Sequence, residues 1–202
     1  MITIVDYKMG NVGSIANMLK RTGHESLITS KVSDIEKASM IVLPGVGSFD
    51  KAIENLDTLK LIEILNKKAL IEKTPVLGIC LGMQLMAKDS EEGKLQGLGW
   101  FDAYVVHFKV KNHKVPHMGW NTVKIAKPDK IFSDVKAEQR FYFVHSYHMQ
   151  CLNKEAILTT TEYEYEFTSA ITKDNITGVQ FHPEKSHKYG MQLLKNWVNK
   201  SI

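Results

Sequence analysis

A thiol, an imidazole and a carboxylate held close together can open an amide bond, and three short stretches of this chain supply such groups. Cys80 lies in Gly78-Ile79-Cys80-Leu81-Gly82, after an apolar run that starts at Pro75 and before the leucine and methionine spacing of Leu81, Leu85 and Met86. The pattern reads as a buried strand turning sharply into a helix, with the cysteine presented on the turn. Glycines two residues before and after it let strand and helix pass closely without Cβ clashes. The first helical amides and the helix dipole then face the sulfur, which favours thiolate and can hold a developing oxyanion. A cysteine taken alone is more often a small buried apolar residue. The paired glycines favour the nucleophile.

His182-Pro183-Glu184 follows the strand-like run Gly178–Phe181. In extended chain, residues two apart point to one side, so the imidazole and carboxylate can lie together, with proline stiffening the turn. A carboxylate beside an imidazole fixes its tautomer and stabilises its cation, which suits proton transfer to and from Cys80. On its own the tripeptide also fits a plain surface turn. A third segment, Pro44-Gly45-Val46-Gly47, ends another apolar strand at the same sheet edge. Its Val46 and Gly47 amides, with that of Leu81, are candidates for an oxyanion hole, although an ordinary strand-ending turn fits the segment as well.

These groups need a scaffold, and the first half of the chain provides one. Ile2–Tyr7 reads as a short buried central strand, with Ser26–Thr29 and Met40–Leu43 as a second and a third. Between the first two, Val12, Ile15, Met18 and Leu19 recur at helical spacing until Gly23. From Phe49 to Glu72 the pattern is again helical, with Leu56, Leu59, Ile62, Leu65 and Leu70 as core candidates. Strands alternating with helices predict an α/β fold: a mostly parallel central sheet flanked by helices. The second half changes to strand-like runs at Tyr104–Phe108, Thr122–Ile125, Arg140–Val144, Ala156–Thr160, Ser169–Thr172 and Thr177–Phe181, which predict an added antiparallel sheet. A helix from about Tyr189 to Val198 closes the chain.

The 202 residues are 44% apolar and 24% charged, which suits one domain over 1–202. A formal charge of +4 with scattered lysines gives no nucleic-acid footprint. Two cysteines make no disulfide framework, and no apolar run is long enough for a membrane span. With no signal-peptide pattern, a cytoplasmic protein is expected. His117, His145 and His148 could be imagined as metal ligands. However, no cysteine or carboxylate completes the set, and one strand would send His145 and His148 to opposite faces, so no metal or other cofactor is expected.

Taken together, Gly78-Ile-Cys80-Leu-Gly82-Met-Gln84, Pro44-Gly-Val-Gly47 and His182-Pro-Glu184-Lys-Ser186 resemble class I glutamine amidotransferases. Asp6-Tyr-x-Met-Gly-Asn11, Pro116-His-Met-Gly-Trp-Asn121 and Phe141-Tyr-Phe-Val-His-Ser-Tyr147 narrow the resemblance to the HisH family, the glutaminase subunits of imidazole glycerol phosphate synthase. The match spans essentially the whole chain. It implies the class I glutamine amidotransferase fold and hydrolysis of L-glutamine to glutamate and ammonia by Cys80, His182 and Glu184. By the same resemblance Gln84, Glu92, Ser146 and Tyr147 hold glutamine. Without it, Glu92 is one of a solvated acidic pair and Gln84 could as well face solvent.

The resemblance further implies a heterodimer with a (β/α)8-barrel cyclase of the HisF type. This partner uses the ammonia to convert PRFAR, a ribulosyl aminoimidazole carboxamide nucleotide, into imidazole glycerol phosphate and AICAR in histidine biosynthesis. Asn11, Met118, Trp120, Asn121, Tyr142 and Lys185 are the matching interface positions, though Trp120 and Tyr142 would also suit a core. Lys8 departs from the pattern, standing where glycine is expected. Asn11–Ile15 and His187–Met191 resemble a paralogous branch that feeds ammonia to a sugar amidotransferase for surface polysaccharides. Outside the family, a stand-alone thiol hydrolase would use the same elbow without needing Gln84 or Glu92. A catalytically silent binding subunit would have lost a triad member, and none is missing.

Overall fold

Short, mostly apolar strands build the centre of the molecule. The structure is a computed structural model that describes residues 1–133 and 139–201. In chain order its strands begin with β1 (Ile2–Val5), β2 (Ser26–Thr29), β3 (Met40–Leu43), β4 (Val76–Ile79), β5 (Asp89–Ser90) and β6 (Ala103–His107). They continue with β7 (His117–Thr122), β8 (Lys124–Ile125), β9 (Arg140–His145), β10 (Tyr147–Cys151), β11 (Ile157–Tyr163), β12 (Tyr165–Lys173) and β13 (Ile176–Val179). The helices are α1 (Val12–Arg21), α2 (Val32–Glu36), α3 (Phe49–Thr58), α4 (Leu61–Asn66), α5 (Leu81–Gln84) and α6 (His187–Ser201).

The main sheet is ordered β2-β1-β3-β4-β13-β12-β10-β6-β5, with β11 beside β12 and β8 beside β11. From β2 to β13 every pair is parallel. Beyond β13 the pairs are antiparallel as far as β6, and β5 runs parallel to β6. A separate antiparallel ribbon joins β7 to β9, with His117 opposite His145 and Trp120 opposite Tyr142. This is the mixed architecture that the sequence predicts, a parallel half followed by an antiparallel one.

Both sheet faces are covered, as the apolar strands require. Val5, Ile41 and Leu43 point to one side and pack with Leu56, Leu61 and Leu65 of α3 and α4. Ile4 and Val42 point to the other and pack with Ile15 and Leu19 of α1 and with Leu194 and Trp197 of α6. Period-2 alternation thus feeds two cores, and β4 is buried between them with its carboxyl end at the site.

Several boundaries differ from the sequence expectation. The helical pattern from Phe49 to Glu72 is not continuous: Lys60 takes a left-handed φ of 57° and separates α3 from α4. A π-helical turn, Lys67–Ile71, follows, and the changed period carries Leu70 outward to 42% exposure, so it is not a core residue. Thr122–Ile125 is not one strand. The chain leaves β7, buries Val123 and enters β8, which pairs with β11. β7, β10, α2 and the short β5 have no counterpart in the predicted elements. Their polar, histidine-rich or brief sequences carry little periodicity. Among the described residues, no helix is long and apolar enough to cross a membrane.

Candidate active site

Cys80 occupies the turn between β4 and α5 with φ 52° and ψ −110°, a conformation that L-residues rarely adopt. The surroundings hold it there. Its amide donates to the Val179 carbonyl at 2.8 Å, and α5 packs so closely that a Cβ on Gly82 would lie 1.8 Å from the Leu43 carbonyl oxygen. Gly78 is equally confined, with Met86 Cε 2.5 Å from the place of a Cβ. The thiol is therefore aimed by packing, and the first amides of α5, including that of Leu81, have no acceptor within their own helix.

Beyond β13 the chain leaves the ladder, and an isolated bridge between His182 and Tyr142 fixes the next segment. The His182 amide donates to the Tyr142 carbonyl, the Tyr142 amide donates to Ser186 Oγ, and that hydroxyl donates to the His182 carbonyl at 2.6 Å. His182 Nδ1 lies 2.7 Å from Glu184 Oε1, both side chains being almost wholly buried. The carboxylate accepts from Nδ1–H, so Nε2 is the nitrogen available for chemistry. It is buried without a hydrogen-bond partner. Burial opposes charge on this ring, but the neighbouring Cys80 and Glu184 outweigh it and raise its pKa to about 10.

A cavity of about 480 Å³ opens over these groups. Its lining includes Cys80 and His182, the turn residues Val46 and Gly47, Leu81, and all four glutamine-binding candidates. Gln84 is buried, and its Nε2 donates to the Tyr147 carbonyl at 2.9 Å and to Gln180 Oε1 at 3.1 Å. Glu92 is half-buried. One carboxylate oxygen accepts the Phe49 amide at 3.0 Å, while burial chiefly, aided by the charge of Asp50, raises its pKa despite that bond. A raised carboxylate gains from a cation placed beside it.

The structure adds residues that sequence reasoning passed over. Asp50 accepts the amides of Lys94 and Leu95 and so pins the loop that carries Glu92. Tyr7 is fully buried, and its hydroxyl donates to the Pro44 carbonyl at 2.5 Å, beneath the glycine turn. Gln180, also fully buried, donates from Nε2 to Cys80 Sγ at 3.7 Å. Its position directly before Phe181-His182 was the one available signal. His145 also lines the cavity. His145 and His148 lie on different strands because the chain turns at Ser146, and both rings pack against Phe108, so the single-strand placement is corrected.

Of the interface candidates, Met118 and Trp120 are exposed at 62% and 40% and share one face of β7. Trp120 meets Tyr142 edge-on and stacks on His187, and Lys185 Nζ lies 5.7 Å above the Tyr142 ring. These form one aromatic and cationic surface. Asn121 alternates to the opposite face of β7 and bonds inward to His117 and the Glu162 carbonyl. Asn11 is exposed and caps α1 by accepting the Ser14 amide. Lys8 has φ 68°, the left-handed conformation that explains why glycine suits that position.

Comparison with known proteins places this geometry among relatives. The family model for "Glutamine amidotransferase class-I" matches residues 3–201. The chain is 56% identical to imidazole glycerol phosphate synthase subunit HisH 2 of Methanococcus maripaludis over 202 residues, covering 100% of both chains. It is 46% identical to the subunit HisH 2 of Pseudomonas aeruginosa, covering 98% of each. A solved structure described as a glutamine amidotransferase superposes with a TM-score of 0.78 at 15% identity, covering 99% of this chain and 98% of that one.

Proposed function

Since the chain belongs to the class I glutamine amidotransferases, and within them to the HisH family, we propose that it is the glutaminase subunit of an imidazole glycerol phosphate synthase. The domain over 1–202 binds L-glutamine with its side-chain amide over Cys80. Glu92 and the Gln84 side-chain oxygen face the α-ammonium, and Ser146 and Tyr147 complete the pocket. The Cys80 thiolate attacks the carboxamide carbon, forming a C–S bond and an oxyanion. The Leu81 amide and the amides of Val46 and Gly47 receive that charge. The C–N bond then breaks as the His182 imidazolium gives its proton to the leaving ammonia. Water attacks the thioester, His182 takes its proton, and glutamate leaves with the thiolate restored. Glu184 keeps Nε2 directed at the sulfur.

One observation carries this reading: His182, tied at 2.7 Å to Glu184 and with its Nε2 unpartnered, lines a cavity shared by Cys80, Gln84 and Glu92. A general thiol hydrolase would have no need for that carboxylate and amide.

The ammonia is delivered to a HisF-type (β/α)8-barrel cyclase in a heterodimer, which converts PRFAR to imidazole glycerol phosphate and AICAR. The exposed Met118 and Trp120 with Tyr142 and Lys185 support such a docking surface, as buried aromatics with a cation make good anchors. The unpaired cysteines suit a reducing compartment such as the cytoplasm. The test combines this chain, the cyclase barrel of the same cell, L-glutamine and PRFAR. Glutamine-dependent imidazole glycerol phosphate that vanishes with Cys80→Ala is the expected result, and no product with the intact pair contradicts it.

A second reading keeps the glutaminase and changes the acceptor to a sugar in surface-polysaccharide synthesis. One observation favours it: Asn11–Ile15 and His187–Met191 resemble that branch. Covalent capture of Cys80 by a glutamine analogue, without PRFAR turnover, is its signature.

A further inference from the structure

Behind the glutamine pocket lies a pair of buried histidines that the hydrolysis steps do not use. His117 and His145 are 3% and 6% exposed and sit on the paired strands β7 and β9. Their tautomers follow from their neighbours. Asn121 Nδ2, which can only donate, lies 3.2 Å from His117 Nε2, so that nitrogen accepts and Nδ1 carries the proton. His117 Nδ1 lies 3.0 Å from His145 Nε2 and donates to it. The remaining nitrogen, His145 Nδ1, then carries a proton and donates to the Tyr147 carbonyl at 2.8 Å. That same carbonyl accepts Gln84 Nε2, which also donates to Gln180 Oε1, and Gln180 Nε2 reaches Cys80 Sγ. Every donor in the series meets an acceptor.

The surroundings keep both rings neutral. Phe108, Phe143, Tyr163 and Phe167 enclose them, and no carboxylate is among their hydrogen-bond partners. Burial lowers His117 to about 4 and drives His145 well below its ordinary range. A protonated His145 Nε2 could not accept from His117, and the series would break.

We infer that His145, backed by His117, is a positioning residue: its Nδ1–H holds the Tyr147 carbonyl that seats Gln84, and through Gln84 and Gln180 the thiol of Cys80. The inference rests on the glutaminase reading and names a part of that site which neither ring needs to touch chemically. A misplacement of about 1 Å in a nucleophile can cost about a hundredfold in rate, so a single lost anchor has room to act.

The test compares three substitutions in the assembled complex. Asparagine can place a donor where Nδ1 stands, glutamine can reach the Nε2 position, and leucine does neither. The expected result is that His145→Asn keeps kcat/KM for glutamine within about threefold, whereas His145→Leu and His145→Gln lose roughly 10- to 100-fold in both kcat/KM and the rate of Cys80 capture by a glutamine chloroketone. Equal rates for His145→Asn and His145→Gln overturn the inference, and that comparison stands even where His145→Leu does not fold. Imidazole 15N spectra of the wild-type protein at neutral pH give a substrate-free check. Neutral Nδ1–H forms of both rings are expected, and an Nε2–H or charged form overturns the proposal. Wild-type protein inert to glutamine counts instead against the glutaminase reading, a failure that the spectra separate from this one.

Discussion

At the end of β4, a Cβ on Gly78 would lie 2.5 Å from Met86 Cε and one on Gly82 1.8 Å from the Leu43 carbonyl oxygen, whereas at the end of β3 the same test on Gly47 meets only the tip of Met9. The nucleophile elbow is confined on all sides by backbone and core. The neighbouring Pro44–Gly47 turn is fixed only at its root, where Tyr7 holds the Pro44 carbonyl and its hydroxyl lies 2.5 Å from where a Gly45 Cβ would sit. Its tip is loose by comparison: Val46 is 41% exposed and Gly47 has φ 105°. In the proposed mechanism the two turns supply the two halves of one reaction, attack and oxyanion stabilisation. On that mechanism the packed half is expected to be set before substrate arrives and the open half to be oriented by a partner.

Substitutions can break this contrast to different degrees. The largest effect is expected at Gly82→Ala, where backbone must move and no flexible side chain can yield. A stability loss of roughly 3 kcal/mol or more is predicted, measured by urea unfolding. Glu184→Gln leaves the elbow packed but frees the base. A fall in kcat of roughly a hundredfold or more is expected, with the His182 pKa, read by NMR, falling below about 10 while Cys80 keeps part of the rise. The sign on stability follows from the raised value. In the native protein this contribution is complete below about 6.5 and is lost as the pH rises through about 10, so the variant should lose the part of that pH dependence that Glu184 supplies.

Tyr7→Phe sharpens the comparison by removing one oxygen at the root of the loose turn. Loss of a hydrogen bond worth about 1 kcal/mol predicts a roughly fivefold lower kcat with KM nearly unchanged, while Cys80 alkylation by iodoacetamide keeps its rate. The smallest effect is expected at Lys8→Gly, two residues from Gly10, whose own Cβ would press on Pro44. Relief of the left-handed φ is predicted to raise stability by about 1 kcal/mol or less, visible as a small upward shift in Tm.

The sequence discloses the rigid half of this site better than the supports around it. Gly78, Cys80 and Gly82 are legible because close packing at a strand-to-helix turn dictates glycine at fixed spacing, and His182-Pro183-Glu184 because an extended tripeptide has few conformations. The parallel strands are legible because burial on both faces demands unbroken apolar runs. Gln180, His117 and His145 are not, since an alternating pattern cannot tell a buried polar residue with partners from an exposed one. Leu70 misleads for a related reason: a π-helical turn shifts the period without any mark in composition. Tyr7 reads as one more aromatic in a buried strand, and its role emerges only when β3 brings Pro44 alongside it.

The central claim is that the thiol is prepared in the isolated chain while the oxyanion turn is not. It is tested most directly by two rates measured side by side, Cys80 alkylation by iodoacetamide and glutamine hydrolysis, with and without the barrel partner and its acceptor ligand. The account predicts that hydrolysis rises severalfold or more on complex formation while alkylation changes little. Alkylation rising in proportion to hydrolysis, or full hydrolysis by the isolated chain, would contradict it.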